Sequence, residues 1–166
     1  QEGDIMTIIK SLGSNREKLV KSFEHVMTDS EYTKKKLKQL IKRTSVTSAK
    51  QAVEASQNFG PVKFYHTVDE ELDEEFHIAV GDEAIKQTPT LIYCALILKD
   101  SGIRIIVFAG EHAKFKAGDL VREISSKLGG SGGGDARFGQ GGGKDTAKLA
   151  DAISHAESVI RKTVNL

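Results

Sequence analysis

The chain has 166 residues, 39% of them hydrophobic and 28% charged, with a formal net charge of +1 at pH 7. That is enough for one domain, or one domain plus an appendage, and the composition is that of an ordinary globular protein. Two prolines argue against disorder, no apolar run nears the roughly 20 residues of a membrane helix, and no signal-peptide pattern is present. The single cysteine, Cys94, excludes an internal disulfide framework and fits a reducing cytosol, so the expected location is cytoplasmic. The chain begins with Gln1 rather than Met, which suggests a piece of something longer.

Asp4 is placed to cap a short apolar helix over 5–12, stopped by Gly13. Ser14 and Glu17 then have the spacing of a capping box. No proline or glycine follows until Gly60, and Leu19, Phe23, Val26, Leu37, Leu40 and Ile41 form an apolar stripe at helical spacing. A single helix over 15–57 would reach roughly 65 Å at ~1.5 Å per residue, too long to bury that stripe in so small a globule. The expectation is either a hairpin, broken near Thr28-Asp29-Ser30 or Thr44-Ser45, or a stripe buried against a second chain.

After Gly60-Pro61 the period changes. Residues 62–66 alternate as a strand, and Leu72, Phe76, Val80 and Ala84 mark an acidic helix. The apolar runs 90–98 and 103–109 flank Asp100-Ser101-Gly102 and predict a hairpin at the centre of a sheet. Ala117, Leu120, Val121, Ile124 and Leu128 trace one helix face, and Leu149, Ile153, Ala156, Ile160 and Val164 another. The predicted fold class is therefore α+β: a helical arm over 1–58, then a globular domain over 59–166 with a central sheet packed by helices.

Between those last two helices lies GGSGGGDARFGQGGGKD, Gly129 to Asp145. A dinucleotide fingerprint needs a strand before its glycines, and here a helix precedes them. A Walker A loop needs Ser or Thr after its Gly-Lys, but Asp145 follows Lys144, and Phe138 stands where the first glycine should be. A tether would be featureless, whereas this stretch carries Asp135, Arg137, Phe138, Gln140 and Lys144, with Asp145 as the expected cap of the last helix. It reads as a folded loop. Its glycines either offer backbone N–H groups at φ > 0 to an anion, or permit tight packing of helix on sheet.

These residues resemble the C-terminal domain of the alanyl-tRNA synthetase family, the glycine-rich DHH-associated domain also found in certain phosphoesterases. The resemblance covers roughly residues 62–166 and rests on KAGDLV, an amphipathic helix, LGGSGGGDARFGQGGGKD and a final helix. Gln140, Gly142, Gly143 and Asp145 match the family pattern. Asp135-Ala136-Arg137-Phe138 departs from the Arg-Pro-Asp-Met usual in bacterial synthetases and points to an archaeal-type member.

The resemblance implies tRNA(Ala) binding at the outer corner, where the D and T loops meet, and homodimerisation through the arm. The implied RNA-facing residues are Gly129, Gly130, Gly132, Gly133, Gly134, Arg137, Phe138, Gln140, Gly142, Gly143 and Lys144, with Lys114 and Lys116 nearby. No catalytic residue, metal ligand or cofactor is implied here: ATP, Mg and Zn would serve the parent ligase through other domains. His25, His66, His77, His112 and His155 lack ligand spacing.

Charge is segregated. Residues 34–43 hold six basic residues and no acid, while 69–83 hold eight acids and no Lys or Arg. Phosphate would be drawn to the first and pushed from the second. The run 34–43 also reads as a solvated helix face, and Phe138 either stacks on a base or pins the loop. Two alternatives stay open: the substrate-binding half of a DHH-type phosphoesterase, and a purely structural dimerisation module.

Overall fold

The computed structural model describes Thr7 and residues 16–164. The expected helix at 5–12 (Thr7 apart) and the capping box begun by Ser14 lie outside the described residues.

Helix α1 runs unbroken over Arg16–Ala55, which corrects the hairpin alternative. The residues expected to break it are absorbed by it. Thr28 Oγ1 donates to the Glu24 carbonyl at 2.8 Å, and Ser45 Oγ to that of Lys42 at 3.0 Å. Hydroxyls that could open a turn are thus returned to the helix's own backbone.

The described residues form two compact units that divide between Leu40 and Ile41, whereas the sequence suggests a division at 58. The difference is packing: Ala49 and Ala52 are buried in one apolar cluster with Leu91, Tyr93 and Phe108, and Val53 packs against it. In the first unit the stripe is open to solvent, with Phe23 67%, Val26 63%, Leu37 52% and Leu40 58% exposed. Leu19 and Ile41, one in each unit, are half-buried.

The second unit is built on a six-stranded sheet. Its strands are β1 (Gln57–Phe59), β2 (Val62–Asp69), β3 (Leu91–Lys99), β4 (Gly102–Ala109), β5 (Ser131–Gly134) and β6 (Phe138–Gly143), in the order β1-β2-β3-β4-β6-β5. Only β2 and β3 pair in parallel, and α2 (Glu74–Gln87) connects them, as a parallel pair requires. The β3–β4 hairpin is central, as expected. Its near-continuous apolar sequence follows from burial on both faces.

Helices α3 (Ala117–Lys127) and α4 (Leu149–Thr163) cover one face. There Leu120, Val121, Ile124, Ala156 and Ile160 join Ile92, Leu96, Ile105 and Val107. Cys94 lies in this layer, and burial pushes its thiol up to about 12, so it is unreactive at neutral pH. On the other face Val80, Ala84 and Ile85 of α2 meet Tyr93, Ile106 and Phe108.

Asp145 does not cap α4. It precedes a 3-10 turn, Thr146–Lys148, and its side chain pairs with Lys148 at 2.8 Å.

Candidate nucleic-acid interface

The glycine stretch is not an irregular loop but a β-hairpin, β5–β6, at the sheet edge. Gly129, with φ +65°, ends α3 in the left-handed conformation that glycine adopts without steric cost. The turn between the strands is held by Asp135, whose Oδ1 accepts from the amides of Phe138 at 2.8 Å and Arg137 at 2.7 Å. Those bonds hold its carboxyl below the ordinary value. The carbonyls of Ala136 and Asp135 in turn accept from the first amides of α3, Ala117 at 3.0 Å and Gly118 at 2.9 Å. The helix start is therefore capped by the hairpin turn.

Most of the glycines answer to packing. A Cβ on Gly132 would lie 2.5 Å from Val121 Cγ1, one on Gly139 2.8 Å from Val121 Cγ2, and one on Gly141 2.5 Å from Ser125 Oγ. Gly130, Gly142 and Gly143 likewise abut backbone carbonyl oxygens, and Gly134 meets the Phe138 carbonyl. Of the three glycines Gly132, Gly133 and Gly134 that could offer amides at φ > 0, Gly134 stands at φ +155°, whereas Gly132 and Gly133 do not adopt positive φ. Gly133 differs from its neighbours, since a Cβ there would meet only Arg122 Nε at 3.9 Å. It pairs with the exposed Gln140, leaving a bare strip of backbone at the sheet edge. Phe138 is half-buried with its ring centroid 4.9 Å from that of Phe108, so it pins the hairpin to the sheet.

Beside the hairpin turn is an open cavity of about 680 Å³. It brings together three of the expected cations, Lys114, Lys116 and Arg137, and adds Lys86 from α2. Its floor is apolar (Ile85, Pro89, Ala109 and Phe115) and Glu111 is its one acid. Lys114 holds φ +53°, a conformation that costs a non-glycine residue about 1 kcal/mol. Gly110 admits the Pro89 carbonyl, which a Cβ would overlap.

Lys86 was not legible as a site residue because it lies about 50 residues from Arg137 and ends an acidic helix. The two meet through Asp82, which pairs with Lys86 and, at 3.0 Å, with Arg137 Nη2. Burial raises the Asp82 carboxyl, but Lys86 and Arg137 outweigh burial and hold it below its ordinary value.

The remaining expected residues are not gathered there. Gly129, Gly130, Gly143 and Lys144 lie at the other end of the hairpin, where the amide of Lys144 donates to the Leu128 carbonyl. Along β6 that end is roughly 20 Å from Arg137 at ~3.3 Å per residue. The acidic stretch is also partly neutralised, since Asp73 pairs with Lys99 and Glu74 with Arg104, both at 2.9 Å. Among the described residues no group of three or more His, Cys, Asp or Glu could hold a metal ion.

The DHHA1 domain family matches residues 64–162. Alanine–tRNA ligase of Nitrosopumilus maritimus is 43% identical over 98 residues, 59% of this chain and 11% of that protein. Alanine–tRNA ligase of Fusobacterium nucleatum is 27% identical over 162 residues, 96% of this chain and 19% of that protein. The chain thus spans a tenth to a fifth of the length of these curated relatives. Among solved structures, the C-Ala domain from Aquifex aeolicus alanyl-tRNA synthetase superposes with TM-score 0.60 at 24% identity, covering 64% of this chain and 97% of that one. RecJ from Thermus thermophilus gives 0.51 at 13% identity, over 73% of this chain and 17% of RecJ. Both are likenesses of fold.

Proposed function

The chain belongs to the DHHA1 domain family, and from that premise we propose that it is the tRNA-binding and dimerisation region of an alanine–tRNA ligase. In this reading the hairpin turn and its cavity hold the outer corner of tRNA(Ala), while other domains carry out aminoacylation and editing. The observation that carries it is the cavity itself, where four cations from three elements surround an apolar floor beside exposed backbone. Cations supply phosphate affinity and the floor accepts an unpaired base, the combination by which folded RNA is bound largely through shape. The exposed stripe on α1 supports the dimer. A cytoplasmic location goes with this reading, and no described helix is long and apolar enough to cross a membrane.

A gel shift with tRNA(Ala), run beside a mononucleotide titration and an ATP–pyrophosphate exchange assay, tests the reading. It calls for tRNA retention, weak mononucleotide binding and exchange no higher than a blank. Mononucleotide binding without tRNA retention would favour the phosphoesterase-type substrate half. Binding of neither would leave a dimerisation module, and exchange above the blank would place chemistry in this chain.

A further inference from the structure

Within the first unit, Phe23, Val26, Ser30, Thr33, Leu37 and Leu40 recur at alternating three- and four-residue steps, the spacing of a heptad seam. All six are exposed on α1. The seam is apolar at both ends and polar in the middle. We infer that this seam takes a second copy of the chain in antiparallel register, with Ser30 opposite the partner's Thr33. The inference rests on the dimerisation reading above and adds the orientation.

Antiparallel pairing sets each position of one seam row against the other row of the partner. With the twofold axis between residues 31 and 32, Phe23 meets the partner's Leu40, Val26 meets the partner's Leu37, and the two polar layers meet each other. The match is isologous, as a twofold dimer requires. Charge selects the direction. Residues 34–38 carry four lysines and no acid, whereas 24–31 carry Glu24, Asp29 and Glu31 and no Lys or Arg. A parallel in-register pair would set the lysine run beside its own copy. The antiparallel pair sets it beside the acidic segment and, by symmetry, does so twice. Asp29 and Lys36 flank the seam on one side and would meet across it. Their present contacts, Asp29 with His25 at 3.0 Å and Lys36 over the Tyr32 ring at 5.3 Å, are on the helix surface, where such pairs contribute little.

Two variants that each add one cysteine, Val26→Cys and Leu37→Cys, test the orientation by sedimentation and by oxidation after mixing under reducing conditions. Both sites are exposed, and matched melting temperatures with the parent chain establish that the variants fold. A disulfide needs Cα atoms within about 7 Å, and the buried Cys94 provides no competing thiol. The expected result is a dimer whose disulfide forms only in the mixture, joining one variant to the other. A dimer in which each variant cross-links alone is parallel and overturns the orientation while leaving dimerisation standing. A dimer with no disulfide in any sample uses another surface and also overturns it. A monomer at micromolar concentration overturns the dimerisation reading itself. As a second measure, Asp29→Lys should weaken dimerisation roughly fivefold, and adding Lys36→Asp should restore it; no restoration contradicts the antiparallel pairing.

Discussion

At the residue scale, the hairpin separates glycines that hold the fold from one that faces outward. Gly139 is buried with the Ala117 backbone 3.0 Å from where its Cβ would be. Gly139→Ala should therefore lower stability by about 1–3 kcal/mol through overpacking. Gly133→Ala should change it by no more than about 0.5 kcal/mol, since its side is open. Denaturant midpoints for the two variants distinguish these; equal losses would mean that both strand faces are packed. His77 offers a second handle. It is 2% exposed, and its Nδ1 stands 2.8 Å from the Tyr93 hydroxyl. Burial lowers its pKa below 6.5, against a partial upward pull from Asp69, whose Oδ2 is 3.2 Å from Nε2. The unfolded chain therefore takes up the proton first. This contribution to stability is complete above about 6.5 and is lost as pH falls towards the folded value. His77→Gln should show a smaller drop in urea midpoint than the parent between about pH 7.5 and about pH 5.5. An unchanged drop would assign the pH dependence to other groups.

At the scale of elements, what could be read from the sequence depended on how each element buries its side chains. The β3–β4 hairpin was legible because 90–98 and 103–109 are apolar on both faces and break at Asp100-Ser101-Gly102. Strands β5 and β6 were not, because glycine carries neither strand propensity nor periodicity. Their pairing becomes apparent only when α3 is seen resting on the bare backbone. Strand β1 spans three residues, too short for a period to register. The continuity of α1 was hidden by Thr28, Ser30 and Thr44-Ser45, residues that favour turns in isolation. Three of the four cations around the cavity were legible: Lys114, Lys116 and Arg137 lie near the glycines in sequence, whereas Lys86 arrives through the fold. The exposed stripe on α1 yields its own prediction. Replacing both Leu37 and Leu40 by Lys should convert a dimer to a monomer in sedimentation while the melting temperature of the sheet-bearing unit is retained. A variant that remains dimeric would remove this stripe from the interface.

At the scale of the whole molecule, the net charge of +1 conceals an arrangement that matters more than its sum. The acidic α2 region pairs with the sheet and hairpin through Lys99, Arg104 and Arg137, and Lys86, Lys114 and Lys116 join Arg137 in lining the cavity beside the turn. An RNA backbone approaching there meets Lys86, Lys114, Lys116 and an Arg137 already oriented by Asp82. Each cation that engages phosphate releases counterions, so its removal must appear in the salt dependence of binding as well as in affinity. The most direct test of the central claim is tRNA(Ala) affinity measured across a series of salt concentrations for the parent chain, Lys114→Ala and Arg137→Ala, with melting temperatures alongside. The expected result is weaker binding by both variants, with the slope of log affinity against log salt flatter by up to about one unit each, at unchanged melting temperature. Affinity and slope equal to those of the parent chain in both variants would contradict it and remove the hairpin cavity from the tRNA interface.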